Sequence, residues 1–338
     1  MTHARGCREF LIKLPRMSLN LELVLIALSA ALINVASAAD YPTKPVRLVV
    51  PQPPGGGSDL IARMLVQGLG ARLGREIVVD NRGGAGGIVG TELVAKSPAD
   101  GYTLLLGYTG SLTINPNIYK HLPYRPLEDF DPISLAAASP FLMVVHPSLR
   151  VATLAELVAL AKKIGSASLN YSSPGNGSLH QLAMEWFKCS TGAMLIHVPY
   201  KGSQSINAVI AGEVSVTFAS VVGMLPHVKS GRVKAIAITS RERFRLVPEL
   251  PTVAESGVPG FEATNWFGIL APHGTSRAIV TTIGSNVAGQ MKSADVKDRF
   301  LNDGAEPIGG TADEFTALIK AELARWASVI RMSGAKVD

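Results

Sequence analysis

From Tyr41 onward, short β-branched apolar runs alternate with amphipathic stretches, and several of the junctions between them are rich in glycine. VRLVV (Val46–Val50) reads as a strand. PQPPGGGSD follows it, then a helix over Ser58–Leu73 with Leu60, Ile61, Met64, Leu65 and Leu69 on one face at helical spacing. EIVVDN (Glu76–Asn81) is a second strand, GGAGGIVGTELVAKS a glycine-rich turn into a second helix, and YTLLLGY (Tyr102–Tyr108) a third strand. This βαβαβ order requires a parallel sheet with right-handed crossovers.

A proline-rich connection, INPNIYKHLPYRPLEDFDPI, interrupts the alternation. A second α/β block then begins at FLMVVHP (Phe141–Pro147), with a helix over Thr153–Lys163 that carries Thr153 as N-cap and Glu156 at the capping-box position. SLNYSS, MLIHVPY, VSVTFAS and VKAIAITS are further strands, and SPGNGSLHQLAMEWFKCS and SQSINAVIAG hold the helices between them. A second proline-rich passage leads into a helical remainder, roughly 276–291, 294–303 and 312–332. With 338 residues, about two domains are expected: residues 40–140 together with 263–338, and residues 141–262. The last helices are expected to pack on the first block.

Residues 1–38 read as a signal peptide. Basic residues end at Arg16, an apolar stretch runs from Leu23 to Val35, and VASAAD places small residues for cleavage after Ala38 or Ala39. The stretch is short for a membrane span, which needs roughly 20 apolar residues. Translation from either Met1 or Met17 is compatible with this reading. Cys7 falls in the leader, so Cys189 is the lone cysteine of the exported chain and no intramolecular disulfide is expected there. Four cations against two anions in the leader take +2 from the formal +6 and leave +4. With no long Lys/Arg block and no basic–aromatic stripe, nucleic acid is not an expected partner. A mild positive field suits small anions, and equally an ordinary basic surface.

Three loops carry the functional reading. A strand–glycine–helix junction leaves the first-turn N–H groups free and adds the positive end of the helix dipole, which makes an anion site. Gly56, Gly57, Ser58 and Asp59 form one such junction, and Ser173, Gly175, Gly177 and Ser178 form another. A third strand end offers Tyr108 and Thr109. In open α/β sheets ligands sit beyond the carboxyl ends of strands, so the three loops imply a cleft between the two blocks. GGAGGIVG either packs a helix close to the sheet or touches ligand. His180 reads as a structural histidine or as a base, and VPYKGSQ as a solvated turn or as a ligand-facing loop with Tyr200, Lys201 and Gly202.

Enzyme signatures are missing. PPGGGSDL lacks the Gly-Lys-Ser/Thr ending of a phosphate-binding loop, there is no nucleophile elbow, and the seven histidines show no metal-ligand spacing. No cofactor or metal is expected. A hydrolase that uses a loop serine with His180 is the enzymatic alternative.

Several segments in series, among them YPTKPVRLVVPQPPGGGSDLIARML, NRGGAGGIVGTELVAKSPADGYTLLLG, YSSPGNGSLHQLAMEWF, HVPYKGSQSINAVIAGEV and ELPTVAESGVPGFEATNWFGILAP, resemble the Bug family, the extracytoplasmic solute-binding proteins of tripartite tricarboxylate transporters. The resemblance covers nearly the whole chain after the leader. It implies a two-domain periplasmic-binding-protein fold of the clamshell type, a small organic carboxylate held between the loops named above, and delivery to membrane permease subunits. The implied protein is periplasmic, without catalysis and monomeric; a carboxylate sensor for a membrane receptor is the alternative role. Two positions depart from the family pattern: Ser58 replaces the usual threonine and Gln52 a common aromatic residue, which bears on pocket shape.

Overall fold

The computed structural model describes residues 41–165 and 169–337; the expected signal peptide, its cleavage site and Cys7 lie outside the described residues. β1 (Val46–Val50), α1 (Gly57–Leu73), β2 (Ile77–Asn81), α2 (Ile88–Ala95) and β3 (Thr103–Tyr108) form the opening βαβαβ unit. β1 lies between β2 and β3 and runs parallel to both, with Val49 opposite Asp80 on one side and Leu105 on the other. On α1, Ile61, Met64, Leu65 and Leu69 are buried as their spacing predicts. Leu60 is not: it is 41% exposed, and it lines a cavity at the start of α1. In GGAGGIVG, an added Cβ on Gly90 would come within 2.6 Å of the Arg82 carbonyl and 2.8 Å of Pro51 Cα. Backbone cannot yield at such distances, so close helix–strand packing accounts for that glycine.

Then follow a π-helical turn (Gly110–Ile114), α3 (Asn115–Ile118), β4 (Phe130–Val145), α4 (Leu154–Ile164), β5 (Asn170–Ser173), α5 (Leu179–Thr191) and β6 (Ile196–Pro199). The chain continues through α6 (Gln204–Ile210), β7 (Val216–Ser220), α7 (Val221–Lys229), β8 (Lys234–Ile238), β9 (Thr264–Pro272), α8 (Arg277–Met291), α9 (Ala294–Asn302), β10 (Glu306–Pro307) and α10 (Ala312–Ser333).

The strand order β2-β1-β3-β9-β4-β7-β5-β6 is parallel only at its two ends. Its centre is antiparallel. β4 pairs with β9 through Phe130–Pro140 and with β7 through Phe141–Val145, so one 16-residue strand belongs to both halves of the sheet. The proline-rich passages conceal β9 and the Phe130–Pro140 half of β4 from sequence reading, which finds the Phe141–Val145 half as the start of a strand. Pro132 and Pro140 cannot donate to the ladder, and the pairing accommodates the local mismatch with register shifts between Pro132 and Ser134 and between Leu135 and Ala137.

Core clusters flank both halves of the sheet. One gathers Val49, Leu105, Phe130, Trp266 and Phe315. A second gathers Tyr171, Leu182, Phe187, Phe218 and Phe261, and a third is built on Leu142, Val144, Val209 and Ile238. Of the final helices, α8 packs on β4 and α1, as expected for the first block. α10 does more: Phe315 and Ile319 enter the first core, whereas Trp326 and Val329 enter the second.

Candidate functional site

The first loop leaves β1 and enters α1. Gly55 has φ +81°, open to glycine but strained for other residues. Its N–H donates to Asp59 Oδ2 at 2.9 Å, and Arg63 Nε reaches the same oxygen at 3.1 Å. The first intrahelical bond runs from Leu60 N–H to the Gly56 carbonyl, so the N–H groups of Gly57, Ser58 and Asp59 precede the helical ladder. No side chain caps them. Ser58 Oγ donates to Gln52 Oε1 at 2.7 Å, and the Gln52 amide also interacts with the Tyr108 hydroxyl.

Asp59 is 4% exposed. Burial pushes its pKa up, but the Gly55 N–H, Arg63 and the nearby Asn81 amide outweigh that and hold it below the ordinary 3.8. Asn81 Nδ2 itself donates to the Gln52 carbonyl at 3.2 Å, and Asp59 Oδ1 is buried with no hydrogen-bond partner. A carboxyl whose folded pKa is depressed stabilises the fold above its unfolded pKa, and the contribution disappears as pH falls through the folded value. Asp59→Asn is therefore expected to melt below the wild type at about pH 6, with the gap closing towards about pH 2.5. Circular-dichroism melts across that range measure it; a gap independent of pH would mean that the charge of Asp59 is not what secures the loop.

The second loop leaves β5 and enters α5, with Gly175 at φ +135° and Gly177 at φ +73°. Its amides are largely committed within the protein. Gly175 N–H donates to Ser173 Oγ at 3.2 Å, Gly177 N–H to Gln181 Oε1 at 2.7 Å, and Ser178 N–H to the Gly175 carbonyl at 3.3 Å. Ser178 caps α5, accepting from Gln181 N–H at 3.3 Å. What remains open at this end is the N–H of Leu179 and His180, in the first turn of α5. Sequence reasoning could not see this, because a loop glycine looks the same whether its N–H faces outward or inward.

Two adjoining cavities lie where the loops meet. The larger, about 660 Å³, is lined by Gly56, Gly57, Ser58 and Asp59 from the first loop, by Pro174 and His180 from the second, and by Gly202. The smaller, about 310 Å³, is lined by Tyr108, Gly175, Gly177, Ser178 and His180, with Tyr119 and Val337. Gln52, Phe141, Pro174, His180 and Asn265 line both, so the two are bays of one cleft. Thr109, Ser173, Tyr200 and Lys201 line neither. Thr109 is fully buried and its hydroxyl bridges the Thr264 carbonyl and the Trp266 N–H. Ser173 is fully buried as well. The Tyr200 hydroxyl points to Glu213 at 3.4 Å, and Lys201 is exposed.

Among the lining residues that sequence reasoning did not place in the site are Phe141 and Asn265, on the two long central strands, together with Pro174 and Tyr119. Gln52 carried a signal, as a departure from the family pattern. His180 lies against Phe141 with ring centroids 4.2 Å apart and the planes tilted by 39°, and burial lowers its pKa to about 4, so the ring is neutral near pH 7. Its nitrogens make no hydrogen bond to another described residue. The Tyr108 hydroxyl donates to the Gly86 carbonyl at 2.8 Å, and burial raises its pKa to about 12. Charged side chains in the lining are confined to Asp59, Arg63 and Asp303 in the larger bay, and Arg63 is paired with Asp59.

The hydrolase alternative finds no support in this geometry. Ser172, Ser173 and Ser178 donate to backbone carbonyls, and none reaches His180. Among the described residues, Ser173 Oγ meets His197 Nε2 at 2.6 Å with a fully buried serine, and Ser148 Oγ meets His146 Nδ1 at 2.8 Å on the turn after β4; none of these four residues lines the cleft. Among the described residues, no group of three metal-binding side chains occurs.

Residues 61–335 match the family model described as the tripartite tricarboxylate transporter family receptor. BugT of Bordetella pertussis is 37% identical over 311 residues, covering 91% of this chain and 95% of that protein. Among solved structures, R. palustris Rpa4515 with adipate is 36% identical with a TM-score of 0.79, covering 88% of this chain and 100% of that chain. MatC from Rhodopseudomonas palustris with bound malate is 30% identical with a TM-score of 0.74, covering 86% and 100%. Both share the mixed α/β architecture of this chain.

Proposed function

The chain belongs to the family of tripartite tricarboxylate transporter receptors, and from that premise we propose that it captures one small organic carboxylate in the cleft and hands it to membrane permease subunits. The observation that carries this reading is the set of uncommitted N–H groups of Gly57, Ser58 and Asp59 at the start of α1, lining a cavity with no unpaired cation. Such a site suits a carboxylate held by dipoles and neutral donors. The Gln52 amide, the Asn265 side chain and the neutral His180 ring offer further uncharged partners, and Leu179 and His180 of the first turn of α5 also line the cleft. The relatives with adipate and malate support the ligand class.

In this reading, residues 40–140 with 263–338 form one lobe and residues 141–262 the other. β4 and β9 cross between them, and hinge bending about these strands closes the cleft. Residues 1–38 export the chain to the periplasm, where it acts as a monomer. Calorimetry of the exported protein against adipate, malate, citrate, glutamate and benzoate tests the proposal. At least one is expected to bind one-to-one with Kd of about 1 µM or tighter, roughly −8 kcal/mol. Folded protein that binds none of them would remove the proposal's basis.

A further inference from the structure

A histidine outside the cleft connects the two turns of the second loop. Gly177 N–H needs an oxygen and finds Gln181 Oε1 at 2.7 Å. That contact fixes the Gln181 amide, so its Nε2 is the atom that faces His197 Nδ1 at 3.2 Å. Nδ1 must therefore accept, which places the ring proton on Nε2. Nε2–H then donates to Ser173 Oγ at 2.6 Å. Ser173 Oγ in turn accepts from Gly175 N–H and donates to the Gly175 carbonyl, at 3.2 and 3.1 Å. One neutral tautomer of one ring is thus consistent with both loop turns at once.

We propose that His197 is a positioning residue: its neutral Nε2–H tautomer holds the Ser173–Leu179 loop in shape, and protonation of the ring releases it. A proton on Nδ1 would set two donors face to face, 3.2 Å apart. Rotating the Gln181 amide does not relieve this, because its NH2 would then meet the Gly177 N–H. One contact must break: displacing the Gln181 amide frees the Gly177 N–H, and displacing the ring removes the donor that holds Ser173 Oγ, the acceptor of the Gly175 N–H.

The surroundings of the ring are compatible with a switch of this kind. His197 is half-buried, and the Tyr171 ring on β5 stacks on it with centroids 4.9 Å apart. From α5, Glu185 accepts from the Tyr171 hydroxyl at 2.5 Å and from Lys188 Nζ at 2.8 Å. Burial lowers the His197 pKa, Glu185 raises it and Lys188 lowers it, with a net value below the ordinary 6.5. The ring is therefore neutral at pH 7, and the loop loosens as pH falls through the lowered value. Burial takes the pKa of His180, also on α5, down to about 4, and the two rings are told apart by their own resonances. The consequence for ligand capture rests on the reading given above: amides of Leu179 and His180 would be set in place at neutral pH and released in acid. The coupling itself does not rest on it.

Nuclear magnetic resonance of the isotope-labelled exported protein, with no ligand added, tests the coupling. The neutral His197 ring is expected to carry its proton on Nε2, and the Gly175 and Gly177 amide signals to shift with the ring's own midpoint. Protection of Gly177 N–H against exchange is expected to fall by about tenfold or more on protonation. In His197→Asn an amide oxygen can still accept from Gln181 but cannot titrate, so the acid step should vanish while protection at neutral pH persists. An Nδ1–H ring, or glycine amides that ignore the titration of His197, would overturn the proposal. Carboxylates play no part in this readout, so a protein that bound none would sink the function proposed above and leave the coupling standing.

Discussion

Proline at position 57 is expected to weaken carboxylate binding by about ten- to a hundredfold and to leave the melting temperature within about 2 °C of the wild type. Gly57 is the first residue of α1, the position where proline is tolerated best because its missing N–H has no partner in the helix. Gly56 has φ −86° and ψ 174°, the extended conformation that a following proline requires. An added Cβ on Gly57 meets nothing within 4 Å, so there is room for the ring. What the substitution removes is one N–H donor at the lining of the larger bay. A hydrogen bond to a charged group contributes roughly 1.5–3 kcal/mol, which sets the size of the loss. Gly57→Ala supplies the control, since it adds a methyl group in open space and retains the donor. Calorimetry with the tightest-binding carboxylate should find the alanine variant near the wild type and the proline variant well below it. Equal losses in both would point to sterics, and no loss in the proline variant would mean that this amide does not hold the ligand.

The parts of the molecule that were legible in the sequence are those set by local pattern. The apolar face of α1, the parallel βαβαβ order and the Thr153 cap each follow from spacing within a dozen residues. Thr153 Oγ1 does accept from Glu156 N–H at 3.2 Å, although Glu156 reaches back to the Ala152 N–H, not to that of Thr153. The parts that were not legible depend on pairing across long separations. β4 and β9 lie about 130 residues apart, contain prolines and pair with register shifts, so β9 and the first half of β4 lack the period-two alternation by which a strand is recognised, and only the apolar run from Phe141 is legible as one. Phe141 and Asn265 sit on those strands, and their places in the cleft follow from that pairing and from nothing nearby in the chain. The second loop shows the opposite limit. Its glycines and serines were identified by local signals, yet Gly175 and Gly177 direct their amides to Ser173 and Gln181, and that network depends on His197, which is remote from the loop motif.

The second large effect is expected at the other end of the chain. Trp326→Ala should destabilise the protein by about 3–5 kcal/mol. The Trp326 side chain is fully buried, stands edge-on to Trp186 with centroids 6.2 Å apart, and donates through Nε1 to Glu322 Oε2 at 2.7 Å. Glu322 is 3% exposed. Burial raises its pKa, Arg325 and Trp326 oppose that shift, and Glu262 adds to it. Truncation therefore opens a large cavity and also takes from a buried carboxylate one of the donors that keeps its charge tolerable. The sign of the pH effect follows. A carboxyl with a raised folded pKa stabilises the fold while protonated, and that contribution is lost as pH rises above the unfolded 4.5. Loss of the indole N–H raises the folded pKa further, so the deficit of Trp326→Ala should be larger at about pH 7.5 than at about pH 4.5. Trp326→Phe separates the two causes: it retains most of the ring and loses the donor, for about 1–2 kcal/mol with the same pH trend. Urea unfolding of the three proteins at both pH values provides the measurement. Since Phe315 and Trp326 place one helix in the first and second cores, the wild type is expected to unfold in a single transition, and the alanine variant to lose cooperativity as well as stability. A deficit below about 1 kcal/mol with cooperativity unchanged would mean that α10 merely covers the second core and does not join it to the first.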